Sequence, residues 1–428
     1  MKTTSSSKTS KERAGRPGKS GNPVPRDTKE VMAELVAKLS QKLEAGPEKA
    51  RETEGQQEDP CGPNRERLTV GIDLGDKRSN FCILGLDGDK LSEGELRTTP
   101  QDFTEFFQLL TPARVVMEVG THSPWARDVV AECGHEVLVA NPRQMEGPKK
   151  RKRKNDRIDA HKLARVGRMD PQSLFPIDHR SVEVRQDLVA VRARDAVVSV
   201  RRDLINTARG LVKSMGGRLP KCSSASFPHK AEEALPAAVR ELLLPMVRLL
   251  ETLNSCLQTY GEMVEKLGEK YPPTKLLRQV KGVGPVTALA YVLTLEDPQR
   301  FARSREVGSY LGLVPKQEDS GDSQPQLRIT KMGDRMVRRL LVGSAHYILG
   351  PFGPDTDLRR YGLRLSERGG KNAKKRAVVA VARKLAVLLH RLWVTGEVYE
   401  PLHRAPSAPA RVEAAHRTAS ESVEEKAA

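Results

Sequence analysis

The sequence predicts an α/β domain with a mixed sheet, followed by a long helical arm and a mainly helical C-terminal region. Three observations predict this order. Between residues 67 and 140, apolar runs of strand length alternate with stretches of helix length. From 181 to about 270, apolar residues recur every three or four positions. Beyond 280, glycines and prolines separate further helical stretches.

The elements follow in order. Leu68–Asp73 is an apolar run that reads as a strand. Phe81–Leu84 is a second, turned by Asp87-Gly88, and Leu91–Thr98 a third. A helix fits Gln101–Leu110, and Val115–Val119 is the next strand. A helix then fits Pro124–Cys133, and Glu136–Ala140 is a strand closed by Asn141-Pro142. Three early strands, then helix and strand in alternation, make a mixed sheet in the order of an RNase H-like domain. In the arm, Val184, Leu188, Val191, Val198, Ile205, Ala208 and Val212 form one stripe. Val239, Leu242, Met246, Leu249, Leu253, Leu257, Tyr260, Val264 and Leu267 form the other, with Pro220 and Pro228 in the break. Later helices fit 302–311, 334–348 and 372–394. Residues 1 to about 28 are polar and basic and are expected to be disordered. Val31, Leu35, Leu39 and Leu43 suit a short amphipathic helix before a polar linker over 46–66.

The 428 residues carry a formal net charge of +18, which favours a polyanionic partner, most simply nucleic acid. The five cysteines are scattered without zinc-ligand spacing and read as reduced. No stretch has the length of a membrane span, and the expected location is the cytoplasm, beside the nucleoid.

Four carboxylates stand out. Asp73 and Glu118 each end a strand-like run, and Asp156 and Asp159 lie three apart at helical spacing. Two strand-end carboxylates and a helical pair can converge on hard divalent ions, Mg²⁺ or Mn²⁺, which prefer oxygen ligands and can clamp a phosphodiester. Each alone has an ordinary reading; Asp156, for example, suits a helix cap. Six consecutive basic residues, Lys149, Lys150, Arg151, Lys152, Arg153 and Lys154, precede the helical pair and suit phosphate contact. Gly282 and Gly284 lie in Lys281-Gly282-Val283-Gly284-Pro285, a turn that can offer backbone N–H groups to a phosphate, or simply join two helices. Lys331, Arg335, Arg338 and Arg339 are expected to grip phosphate as well.

Val70-Gly71-Ile72-Asp73, Met117-Glu118-Val119-Gly120-Thr121 and Asn155-Asp156-Arg157-Ile158-Asp159-Ala160 resemble the DEDD motifs of insertion-sequence one-ten family transposases. Val280–Pro285, Phe301–Pro315, Asp319-Ser320-Gly321 and Thr330–Asp334 resemble the C-terminal transposase domain of the same family. The resemblance covers about 67 to 404. It implies a RuvC-like DEDD domain over 67–175, a helical arm over 176–272 and a serine-bearing transposase domain over 273–404. A basic arm and linker (1–66) and a disordered tail (405–428) would flank them. It further implies that Asp73, Glu118, Asp156 and Asp159 bind metal and that Ser320 attacks DNA to form a transient phosphoserine link. Donor and target DNA and a structured non-coding bridge RNA would be the partners, with a homodimer or homotetramer as the working form. The residues alone do not single out Ser320, because Ser323 shares its loop and no histidine lies near. Two rival readings stay open: a RuvC-type endonuclease that uses water, and a non-catalytic nucleic-acid-binding protein.

Overall fold

A five-stranded mixed sheet organises the first part of the chain. The computed structural model describes residues 67–142, 156–317, 325, 327–370 and 372–403, with only the backbone described at 156–158. The expected basic arm, the Val31–Leu43 helix, the strip Lys149–Lys154, the Ser320 loop and the tail all lie outside the described residues. The chain divides into two units, the first ending at His179 and the second beginning at Arg180.

In the first unit, β1 (Thr69–Asp73), β2 (Arg78–Leu84) and β3 (Lys90–Arg97) precede helix α1 (Pro100–Gln108). Strand β4 (Arg114–Glu118), helix α2 (Ser123–Glu132), strand β5 (Glu136–Ala140) and helix α3 (Asp156–Met169) complete it. The sheet order is β3-β2-β1-β4-β5. The first three strands are antiparallel neighbours, whereas β1 pairs with β4, and β4 with β5, in parallel.

Side chains alternate between the two faces of a strand, and here each face has its own core. Val70, Ile72, Phe81, Ile83, Val115 and Met117 pack with Phe103, Phe106 and Phe107 of α1 and with Ala126 and Val130 of α2. Those three phenylalanines are fully buried, each stabilising the fold by roughly 2–3 kcal/mol. Thr99 caps α1 by accepting from Asp102 N, and Pro100 follows at a position that needs no N–H donor. On the other face, Cys82 and Leu84 meet Ala160 and Ala164, while Val116 and Ala140 meet Leu163. That second face belongs to α3.

The closeness of α3 has one cause. A Cβ added at Gly71 would stand 2.1 Å from Ala160 O and 2.5 Å from Ala164 N. Glycine alone lets the helix backbone rest on β1. A Cβ at Gly167 would likewise meet Val116 Cγ2 at 2.3 Å, so a second glycine, on the helix, seats it on β4.

The second unit is helical: α4 (Val182–Ser214), α5 (Phe227–Ala234), α6 (Ala237–Lys270), α7 (Pro273–Leu277) and α8 (Pro285–Leu295), then α9 (Glu306–Tyr310), α10 (Arg335–Leu349), α11 (Asp357–Glu367) and α12 (Ala373–Thr395). Helices α4 and α6 run antiparallel: Lys270 Nζ reaches Asp187 at 2.7 Å, and Arg201 reaches Asn254 at 2.8 Å further along. All of the first expected stripe is buried except Val198, which is half-buried. The second stripe is corrected. Leu242 and Leu249 are 78% and 48% exposed, and Leu243, Val247 and Leu250 take the buried positions. Leu242, Leu243 and Leu244 are consecutive, so spacing alone could not choose the inward face. The helix bends its burial towards α5, whose Phe227 and Ala231 join that cluster.

The core of the second unit is α8, buried from Thr287 to Leu295. Tyr291 lies fully inside and donates to Ala386 O at 2.6 Å, and burial raises its pKa well above the usual tyrosine value. The helix expected over 302–311 is confined to Glu306–Tyr310. Ser304, in the loop before it, is bonded to His390 Nδ1 at 2.9 Å. Helix α11 was not anticipated, although Thr356 caps it and Leu358 is buried on it. No helix among the described residues is long and apolar enough to cross a membrane.

If Gly71 seats α3, Gly71→Ala should destabilise the first unit by about 3 kcal/mol, because the helix backbone must move to admit the methyl group. Gly120→Ala, where nothing lies within 4 Å of the added Cβ, should stay within about 0.5 kcal/mol. Urea unfolding followed by Trp125 fluorescence in a Trp393→Phe background measures both.

Candidate functional site

The same contact that seats α3 puts the expected acidic residues on one face of the sheet. Strands β1 and β4 are parallel neighbours with Ile72 opposite Met117, so Asp73 and Glu118 come next, side by side, at the C-terminal ends of the pair. Gly71 and Val116, two residues earlier in each strand, both face α3. By the strand's period of two, Asp73 and Glu118 share that face. Asp159 precedes Ala160, the residue that touches Gly71, and so lies near the start of α3, over β1. Asp156 is the first residue of α3, one turn before Asp159; its side chain lies outside the described atoms.

Exposure falls from edge to helix: Glu118 is exposed, while Asp73 and Asp159 are half-buried. Lys162 Nζ donates to Asp159 at 2.7 Å. This is an i, i+3 ion pair with a half-exposed lysine, a kind of contact worth little by itself and readily exchanged for another cation. Among the described residues, no group of three or more His, Cys, Asp or Glu side chains is close enough to hold an ion. The donor types nevertheless fit a hard divalent ion: carboxylate oxygens from two strand ends and one helix turn, with neither sulfur nor imidazole among them.

Sequence reasoning missed what supports the strand ends. After Glu118 the chain runs Val119-Gly120-Thr121-His122-Ser123. Trp125 Nε1 donates to His122 Nδ1 at 3.1 Å. The indole nitrogen can only donate, so His122 keeps Nδ1 bare and, when neutral, carries its proton on Nε2. That Nε2 stands 3.7 Å from Asp76 in the loop after β1, which links the loops that follow the two acidic strands. Ser123 is fully buried, accepts from Gly120 N, donates to Gly120 O, and bonds His179 Nε2 at 2.9 Å. With its own hydrogen given to Gly120, the serine accepts from His179. The signal was the Gly-Thr-His-Ser stretch directly after the acidic strand end.

The basic candidates divide. Arg338, expected at a phosphate, is buried, and its guanidinium donates to Leu311 O at 2.9 Å and Met332 O at 2.7 Å. Its burial also lowers its pKa. It holds the fold of the 311–332 stretch, because a helix position three residues after Arg335 turns inward here. Arg339 donates to Asp195. Arg335 and Lys331 are exposed, Lys331 with a φ of +58°. Gly282 has a φ of +97°, and an added Cβ would meet Tyr347 Cδ1 at 2.9 Å, so its role is explained by backbone shape and packing. Gly284 differs: it begins α8 without a side-chain cap, with nothing within 4 Å of an added Cβ. It opens onto a shallow depression shared with Gly343, Arg339 and Tyr347, where the N–H groups of the helix start can meet an anion.

Two family profiles match the chain. A DEDD transposase profile of the IS110 type matches residues 70–216. A profile described as transposase IS116/IS110/IS902 family matches residues 274–355. The chain is similar to a probable family 20 transposase of Pseudomonas aeruginosa, 28% identical over 341 residues, covering 78% of this chain and 98% of that one. It is also similar to the transposase for insertion sequence element IS1111A of Coxiella burnetii, 28% identical over 343 residues, covering 77% and 90%. The first profile contains Asp73, Glu118, Asp156 and Asp159, and the second contains the α8 core and α10, in the order the two units have. The chain therefore carries both transposase domains of the IS110 family and belongs to that family of insertion-sequence transposases, enzymes that act on DNA.

Proposed function

We propose that this transposase cuts and rejoins DNA through a transient phosphoserine link at Ser320, with Asp73, Glu118, Asp156 and Asp159 as a carboxylate site for Mg²⁺ or Mn²⁺. The observation that carries the reading is the glycine-mediated contact of α3 with β1, which puts Asp159 on the same face of the sheet as the adjacent ends of two acidic strands. A bound divalent ion would supply positive charge to the phosphate oxygens as charge builds there. The residues themselves do the rest. The two strand ends and the first turn of α3 hold the carboxylates on a rigid frame. His122 and Ser123 fix the loop that follows Glu118. The Ser320 hydroxyl forms an O–P bond while a deoxyribose oxygen leaves as a hydroxyl. Attack by the hydroxyl of another DNA end then reverses the step and releases the serine. No histidine in the sequence around Ser320 is offered as base, so the serine proton passes to solvent or to the leaving oxygen.

The partners proposed are donor and target DNA and a structured non-coding RNA from the element itself. The net charge of +18 supports affinity for either nucleic acid, and the family resemblance supports the RNA in particular. A homodimer or homotetramer would bring two DNA segments together.

Denaturing gels after incubation with substrate DNA and Mg²⁺ test the chemistry. Wild type and Ser323→Ala should form a boiling-resistant protein–DNA adduct. Ser320→Ala should lose adduct and recombination together, and Asp159→Ala should lower both by about a hundredfold or more, with its melting temperature little changed. An adduct in Ser320→Ala removes the serine assignment. Metal-dependent nicking without any adduct favours the water-using nuclease. For the guide, sequencing of RNA that co-purifies with the protein should return one discrete species encoded beside its gene. Random cellular RNA, with recombination intact after RNase treatment, would contradict the guide.

A further inference from the structure

The second unit contains a long basic cavity. It is a groove of about 1620 Å³ between α11 and α12, bordered on one side by residues 313–315 and 327–331. Arg305, Lys331, Arg364, Lys375, Arg376 and Arg383 line it, with further arginines and lysines beyond them. Among the described residues, its acidic lining consists of Asp357 and Glu400, at one end. Both are engaged there by His403, through its backbone N–H at 3.1 Å and its Nδ1 at 3.0 Å. The middle of the groove therefore carries a large excess of positive charge.

The floor is different in kind. Ile329, Val379, Leu388 and Tyr399 line it, half-buried, together with Tyr361, whose ring lies under Lys384 Nζ at 3.8 Å. On α12 the basic residues recur at Arg376, Arg383 and Arg391, seven or eight apart. They mark one face over about 22 Å at 1.5 Å per residue. An apolar floor under a cationic rim discriminates between polyanions. A duplex presents phosphates and base edges, and its base faces are stacked away, so the floor would stay empty. A single strand offers phosphates to the rim and base faces to the floor, where each stacked base is worth about 1–3 kcal/mol.

Main-chain hydrogen bonds hold the described part of the side wall. Lys316 N donates to Arg328 O, and Thr330 N to Val314 O, both at 2.9 Å, on either side of the Pro315–Ile329 bridge.

We infer that this groove binds one unpaired nucleic-acid strand, with its phosphates on the Arg364–Arg376–Arg383 rim and its bases on the apolar floor. Strand binding here does not rest on the proposed serine chemistry.

The test is fluorescence anisotropy with the full chain in EDTA, where no cleavage occurs, so a failure here is separable from a failure of the serine chemistry. The probes are single-stranded DNA and RNA of one sequence, roughly 15 nucleotides long, and the matching duplex. Arg364→Glu with Arg376→Glu should weaken single-strand binding about tenfold or more and reduce the salt slope by about 1.4, for two phosphates lost. Arg240→Glu with Arg248→Glu, the same charge change on exposed residues of α6, should stay within about twofold. Arg368→Gln with Lys375→Gln, a milder pair on the same rim, should weaken binding in the same direction and guards against misfolding of the first pair. Loss confined to RNA identifies the strand as guide; loss confined to DNA identifies it as substrate; loss of both still supports the groove. Equal losses in the groove and α6 pairs, or tighter duplex binding that the groove pairs leave unchanged, would overturn the inference.

Discussion

Everything the acidic site needs depends on one contact, the backbone of α3 resting on Gly71. A strand covered by a helix normally keeps it at a distance set by side chains. Here the distance is set by Ala160 O and Ala164 N against a residue with no side chain. Gly167 repeats the device against Val116. These two glycines let α3 lie directly on β1 and β4, with its first turn, which carries Asp159, on the same face of the sheet as Asp73 and Glu118. A larger residue at 71 would leave the carboxylates in the sequence and push the helix off β1.

The acidic face is supported from the opposite face of the sheet. Val70, Ile72, Val115 and Met117 anchor β1 and β4 in the phenylalanine core of α1. That core fixes the register of the two parallel strands, and the register puts Asp73 and Glu118 side by side. A one-residue slip would turn either carboxylate into the phenylalanine core. Stability and function are thus divided between the two faces of the same strands.

Much of this was legible in the sequence, for reasons that can be named. The strands of the first unit announce themselves by apolar runs ended by Asp73 and Glu118, and the helical spacing of Asp156 and Asp159 places both on one turn. What spacing does not carry is distance. Gly71 looks like any strand glycine until the helix lies on it. Leu242 and Leu243 are equally apolar, and only the position of Phe227 selects Leu243 for burial. Arg338 resembles its exposed neighbours Arg335 and Arg339, yet two carbonyls, Leu311 O and Met332 O, claim it for the interior. His122 and Ser123 act through partners as distant in sequence as Asp76 and His179, so no local pattern reveals them. The basic groove is a further case: its arginines come from several separate stretches and read one by one as solvated surface.

The central claim is that one ion position lies within reach of β1, β4 and the first turn of α3. Site-directed radical cleavage tests it most directly. Fe²⁺ exchanged for Mg²⁺, then treated with ascorbate and peroxide, cuts the polypeptide near the bound ion. The account predicts cuts clustered around residues 73, 118 and 156–160 of the same chain, suppressed by excess Mg²⁺ and lost in Asp73→Asn. Cuts confined to one of those segments, or a pattern unchanged in Asp73→Asn, would contradict it.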